Sequence, residues 1–238
     1  MLNKATFVVL RKYPFGDNGL VVHVFSDTFG RVPLLLKNAR SRKAPLPYGT
    51  IRPLYMFEGV LTRSGDFCHV REARPLKLLD NIMSDPRKTA IAFFIADVWS
   101  GCLREQDEQK GVFAFIKSTV ETLEEMAHGW SFFHHWVMLQ TAQHLGFSPG
   151  VGSFKTEFYL DLLHGEYTLS PPAHPYTAGP EDAQCISWLS QFSSLPPTAP
   201  PNWSIGRKRE VLRLLIDFFR LHVDGFKTPG SLEVLNQL

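Results

Sequence analysis

"KATFVVLRKYPFGDNGLVVHVFSDTFGRVPLLLK" (residues 4–37) consists of three runs rich in β-branched and aromatic residues, separated by two short turns. "KATFVVLRKY" (4–13), "GLVVHVFS" (19–26) and "RVPLLLK" (31–37) read as strands, with "FGDN" (15–18) and "DTFG" (27–30) between them. Pro33 stands near the start of the third run, where proline disrupts a sheet least. Two further runs follow, "TIRPLYMFEGVLTR" (50–63) and "FCHVREARPLK" (67–77), joined at "SGD" (64–66). Five strands with short connections predict a small closed barrel over residues 1–80. Gly59, inside the fourth run, is the expected place for a bulge that bends the strand.

Between the third and fourth strands lies "LLLKNARSRKAPLPYG" (34–49), which packs Lys37, Arg40, Arg42 and Lys43 into seven positions with no acid. The net charge of the 238-residue chain is only +2, but residues 1–80 hold 13 Lys+Arg against 6 Asp+Glu. The remainder holds 12 against 17. Such asymmetry points to a front end that binds a polyanion; a merely solvated basic face is the alternative.

From residue 84 the apolar period changes to that of helices. "SDPRKTAIAFFIADVWSGCLRE" opens on a Ser/Asp cap signal with Pro86 in its first turn, and Ala90, Phe93, Phe94, Asp97 and Val98 recur at helical spacing. "QKGVFAFIKSTVETLEEMAHG" (109–129) and "SFFHHWVMLQTAQHLG" (131–146) are further helices, each closed by glycine. "FYLDLLHGEYTL" (158–169) alternates around His164-Gly165 and predicts a β-hairpin. Residues 171–201 carry 8 of the 17 prolines and read as loop with a short helix near 180–194. "SIGRKREVLRLLIDFFRLHV" (204–223) is a strongly amphipathic helix with Leu212, Leu215, Phe218 and Phe219 as core residues, and "PGSLEVLNQL" closes the chain. The expected fold is therefore multidomain: a five-stranded barrel (1–80), then a helical domain (81–238) with an inserted hairpin near 158–169.

Three widely spaced cysteines, Cys68, Cys102 and Cys185, fit neither a disulfide framework nor a zinc pattern and predict free thiols in a reducing cytoplasm. "MLNKATFVVLRKY" lacks the apolar core and cleavage site of a signal peptide. "TAIAFFIADVWSGCL" (89–103) is too short to span a bilayer and contains Asp97. His134, His135 and His144 match no HxxxH or HExxH spacing, and "PGVGSF" (149–154) lacks the lysine and the strand–helix context of a phosphate loop. No nucleophile–base pair and no spaced carboxylate cluster stands out, so no enzyme is expected.

The chain resembles the RecO family, the bacterial recombination mediators. "VVLRKYPFGDNGLVVHVFSDTFGRV" (8–32) is similar to that family's opening, and "LLLKNARSRK" (34–43) to its basic segment after the third strand. "EVLRLLIDFFRLHVDGFKTPGSLEVL" (210–235) resembles its C-terminal signature. The resemblance is to the variant found in Bacteroidetes-like bacteria. It implies an N-terminal OB-fold, binding of single- and double-stranded DNA and annealing of complementary strands. It also implies cooperation with RecR in loading RecA onto DNA coated by single-stranded-DNA-binding protein. Many relatives carry a four-cysteine zinc insert, but the corresponding "LGFSPGVGSFKTEFYLDLLHGEY" (145–167) has no cysteine. No metal and no cofactor are expected on that ground, with the hairpin standing where relatives place the knuckle.

On this reading Arg11 and Lys37 end their strands and, with Arg40, Arg42 and Lys43 on the loop, contact DNA phosphates. Arg207, Lys208, Arg209 and Arg213 form a second cluster. It is expected either to touch DNA or to dock the acidic tail of single-stranded-DNA-binding protein. Tyr13, Phe15, Phe29, Tyr48 and Tyr55 are more in keeping with barrel packing than with base stacking. A non-catalytic protein–protein adaptor with no direct DNA contact is the alternative function.

Overall fold

The computed structural model describes residues 3–64, 67–104, 109–150, 157–193, 196–197 and 203–237. The alternation read above produces five strands: β1 (Asn3–Phe15), β2 (Gly19–Ser26), β3 (Gly30–Leu36), β4 (Met56–Ser64) and β5 (Phe67–Pro75). They close into a barrel in the order β1-β2-β3-β5-β4. Every pair is antiparallel except β3 with β5, which meet in parallel at Leu34 and Cys68 and seal the barrel. Alternate residues point inward: Phe7 and Val9, Leu20, Val22 and Val24, Leu34 and Leu36, Phe57, Leu61 and Val70 make one buried cluster. Burying side chains of this size stabilises by about 1.5–3 kcal/mol each, and Val8, Leu10 and Leu35, on the other face of their strands, are buried as well.

Strand boundaries differ from the expectation at three places: β3 ends at Leu36, so Lys37 opens the loop and does not end the strand, and β1 and β4 are shifted. β1 runs on to Phe15, so Arg11 lies inside the strand and not at its end; a register shift between Val9 and Arg11 marks a bulge there. The fourth strand starts at Met56, not near residue 50. Residues Tyr48–Thr50 form a 3-10 turn, Pro53 has no N–H to give a ladder, and Leu54 takes a left-handed φ of 65°. Val9 fills the gap, donating its N–H to Tyr55 O (2.9 Å) and accepting from Leu54 N (2.9 Å). The β4–β5 ladder shifts register between Val60 and Leu61, but the extra residue is Arg71 of β5, so the bulge expected at Gly59 lies on the partner strand. A Cβ on Gly59 would lie 3.2 Å from Glu72 O and 3.3 Å from the Phe57 ring, so a side chain there would have to push them aside by a few tenths of an ångström.

Three helices follow: α1 (Asp80–Ser84), α2 (Pro86–Cys102) and α3 (Lys110–Glu125). Asp85 caps α2, accepting from Arg87 N at 2.9 Å, with Pro86 in the first turn as its sequence predicts. Helix α1 was not legible; its orphan N–H groups at Asn81 and Ile82 are met by the Glu124 carboxylate of α3 (2.8 and 2.9 Å). The chain divides into two compact units, and these helices share the first with the barrel: Met1–Glu125 together with Pro229–Ser231.

The second unit, Met126–Thr228 with Leu232–Leu238, holds α4 (Phe133–His144), α5 (Pro180–Ser190), α6 (Ile205–His222) and α7 (Leu232–Asn236). Gly146, with φ 81°, ends α4 as a C′ glycine. Ser204 caps α6 through Arg207 N (3.1 Å), and Leu212, Leu215, Phe218 and Phe219 are buried as expected. The predicted hairpin is β6 (Tyr159–Asp161) with β7 (Glu166–Thr168), and a two-residue strand β8 (Thr177–Ala178) widens it to a three-stranded sheet.

Candidate nucleic-acid interface

The basic loop is held to the barrel by two buried apolar residues. Ala39 and Leu46, each 1% exposed, join the barrel core, and Ala39 N donates to Asn18 O at 2.9 Å. Between them the backbone makes two successive turns, Ser41 N to Asn38 O (2.8 Å) and Ala44 N to Ser41 O (3.0 Å), with Asn38 in the left-handed region at φ 52°. Anchoring the small and apolar positions leaves Lys37, Arg40, Arg42 and Lys43 exposed together. Among the described residues, none of the four is in an ion pair.

Tyr48 follows on the same segment and is 38% exposed. Its ring lies under two cations, Lys12 Nζ at 4.9 Å and the Arg40 guanidinium at 5.2 Å from the centroid. Lys12 is fixed there by donating to Ile51 O at 2.8 Å. A groove of about 460 Å³ is lined by Lys37, Pro45, Thr62, His69, Val70 and Arg71 among others, along the β3–β5 seam. Sequence reading missed Tyr13, Phe15 and Tyr48 as surface aromatics, and missed His69 and Arg71. The signal for the last two was present: they alternate with buried Val70 in "CHVR", which turns both outward.

Arg11 is placed differently from the four loop cations. Its guanidinium bonds Asp97 Oδ1 through Nε (3.1 Å) and Nη2 (2.9 Å). Asp97 Oδ2 meanwhile accepts from Ser231 N (3.0 Å) and Ser231 Oγ (2.7 Å). The Arg11 charge is thus matched by a carboxylate inside its own unit.

The second cluster is matched in the same way. Arg207 pairs with Glu181 and Asp182, and the hydrogen bond to Asp182 holds its pKa above the ordinary value. Arg213 pairs with Glu210 and Asp217, each at 2.6 Å; its hydrogen bonds lower the Glu210 pKa. Arg209 donates to Asn236 O (2.7 Å), and Lys208 Nζ sits over the Phe132 ring at 4.7 Å. The four residues share one end of α6, but their two arginine–carboxylate groups leave little net field there.

The remaining sequence candidates for chemistry are accounted for by packing. His134 and His135 are buried, His135 Nε2 standing 2.9 Å from Lys208 O. The three cysteines are free thiols, and burial pushes Cys102 up to about 12 and Cys185 up to about 11, so neither is a thiolate nucleophile. The segment 149–154 lies largely outside the described residues. Among the described residues, no helix is long and apolar enough to cross a membrane.

Comparison with known proteins agrees with this architecture. Residues 1–79 match the family model described as Recombination protein O N terminal. The whole chain is similar to the DNA repair protein RecO of Phocaeicola vulgatus, 27% identical over 100% of this chain and 99% of the relative. It is similarly related to the DNA repair protein RecO of Azobacteroides pseudotrichonymphae, 24% identical over 100% and 99%, and of Porphyromonas gingivalis, 27% identical over 96% of each. The resemblance read from the opening, the basic segment and the C-terminal signature therefore extends over the full length.

Proposed function

We propose that this chain, similar throughout to RecO proteins of DNA repair, is a non-catalytic recombination mediator that binds DNA through the loop between β3 and β4. The observation that carries the reading is the contrast in charge pairing. Lys37, Arg40, Arg42 and Lys43 stand exposed without acidic partners, whereas Arg11, Arg207 and Arg213 are matched by carboxylates. A phosphate backbone needs several cations on one surface and gains most from those whose charge is not already neutralised. Tyr48, between Lys12 and Arg40, offers a face on which a base can stack beside the phosphate contacts. The groove at Lys37, His69 and Arg71 continues the track along the barrel wall. Arg11 acts on this site by fixing β1, not by meeting phosphate itself.

Binding of single- and double-stranded DNA, annealing, and loading of RecA with RecR onto DNA coated by single-stranded-DNA-binding protein follow as the proposed activities, carried out in the bacterial cytoplasm. The barrel, in the first unit, is the DNA-binding part, and the helical second unit receives the protein partners. For the acidic tail of single-stranded-DNA-binding protein, Lys208 and Arg209 are the contacts, because a peptide at Arg207 or Arg213 must displace acids already in place. The test is a fluorescence assay of annealing between complementary oligonucleotides. Lys37→Ala/Arg40→Ala/Arg42→Ala/Lys43→Ala should anneal far more slowly than wild type while keeping its unfolding transition. Equal annealing by the two proteins refutes the assignment and favours the adaptor function.

A further inference from the structure

The three-stranded sheet of the second unit gathers one carboxylate and two imidazoles that the DNA-binding reading does not use. Asp161 ends β6, His164 lies in the turn to β7, and His174 lies on the approach to β8. Asp161 Oδ1 accepts from the backbone N–H groups of Leu163 (2.8 Å) and His164 (3.0 Å), which fixes the carboxylate plane. Its Oδ2 is left facing both rings, 2.9 Å from His164 Nδ1 and 3.2 Å from His174 Nε2. The three ligand atoms all lie within 4.8 Å of one another.

We propose that Asp161 Oδ2, His164 Nδ1 and His174 Nε2 form a binding site for a divalent transition-metal ion of the zinc class, with a remaining position open to water. Bonds of about 2.0–2.1 Å in a tetrahedral zinc site space the ligand atoms about 3.3 Å apart. The two separations to Oδ2 are already near that value. Nitrogen and oxygen donors of this kind suit zinc and its neighbours and not calcium or magnesium, which take oxygen ligands. Asp161 has a side chain only 8% exposed, and His164 is 63% exposed, so the carboxylate is desolvated on the inside while the ion has a path from solvent. The other nitrogen of His174 is buried without a partner, and ligating histidines ordinarily have that N–H bonded. With three protein ligands and that bond missing, the affinity falls below that of a closed structural zinc centre. The ion would tie the 162–165 turn to the segment that leads into β8, so binding stabilises the sheet.

This set shares no residue with a cysteine motif, nor with His134, His135 and His144, and it stands independently of the DNA-binding proposal. The test is Co²⁺ and Zn²⁺ titration of the full chain, read by cobalt visible absorption, by equilibrium dialysis and by thermal unfolding. Wild type and His128→Gln, an exposed histidine elsewhere, should bind one equivalent and unfold at higher temperature with metal. His174→Gln and His164→Gln should bind at least tenfold more weakly and lose the thermal shift. Wild type that binds no metal, or variants that bind as wild type does, overturn the proposal. If His174→Gln fails to fold, His164→Gln decides, because that side chain is mainly in solvent.

Discussion

His135 makes the second unit sensitive to acid, and the effect can be worked out. It lies on α4, buried, between His134 on its own helix and Lys208 of α6. Burial lowers its pKa from 6.5 to about 4, only partly opposed by the bond to Lys208 O, and the Lys208 charge lowers it further. A folded-state value below the unfolded one means that the unfolded chain takes up the proton first as pH falls. Stability is therefore full above about pH 6.5 and is lost progressively down to about pH 4, by about 3 kcal/mol in all. Between pH 7 and pH 5 the loss from this one residue is about 2 kcal/mol. His134, held well below the ordinary value by burial and by His135, adds loss of the same sign. The assay is urea unfolding at pH 7 and pH 5, followed by tryptophan fluorescence, since four of the five tryptophans belong to this unit. His135→Gln should be less stable than wild type at pH 7 but should lose about 2 kcal/mol less on acidification. An equal loss in both proteins would show that His135 is not held neutral by burial and would refute the reasoning.

Three other outcomes are expected. Leu46→Ala should cost about 2–5 kcal/mol in unfolding free energy and should also weaken DNA binding, although it removes no charge, because it releases the anchor of the loop; undiminished affinity in gel-shift titration would mean that the loop does not depend on that anchor. Tyr48→Ala should weaken binding of single-stranded oligonucleotide roughly tenfold with little change in salt dependence, as loss of a stacking face would; a flattened salt dependence would assign Tyr48 to the phosphate contacts instead. Arg207→Ala should leave DNA affinity within about twofold, since its charge is matched by Glu181 and Asp182 and partly exposed pairs carry little; a large loss would bring α6 into the DNA site.

The barrel was legible because period-two alternation in β1, β2 and β3 is enforced by a buried interior, and any one-residue slip would expose Phe7, Val22 or Leu34. The helices were legible from their caps, Asp85 and Ser204, and from glycines such as Gly146. What escaped depends on partners remote in sequence. Helix α1 has five residues and is capped by Glu124, more than forty positions away. Strand β8 has two residues and pairs only because β6 offers Asp161 and Leu160. Phe93 fits the apolar spacing of α2 yet is exposed, because that helix is apolar on nearly all sides and periodicity cannot say which face turns outward.

The candidate site was half legible for the same reason. A run of cations is visible in any sequence, but whether each is free or neutralised depends on carboxylates brought in by folding. Asp97 reaches Arg11 from 86 residues away, and Glu181 and Asp182 reach Arg207 from about 25. The loop cations stay unmatched because the anchors Ala39 and Leu46 turn inward and leave them outside. Asp161, His164 and His174 have no motif spacing, and only the turn and the return to β8 bring them together.

The most direct measurement is fluorescence-anisotropy binding of a labelled single-stranded oligonucleotide across a salt series, for wild type and for Lys37→Ala/Arg40→Ala/Arg42→Ala/Lys43→Ala. Four lost phosphate contacts should flatten the slope of log K against log salt by about 3, with the variant still folded. Identical slopes for the two folded proteins would contradict DNA recognition by this loop.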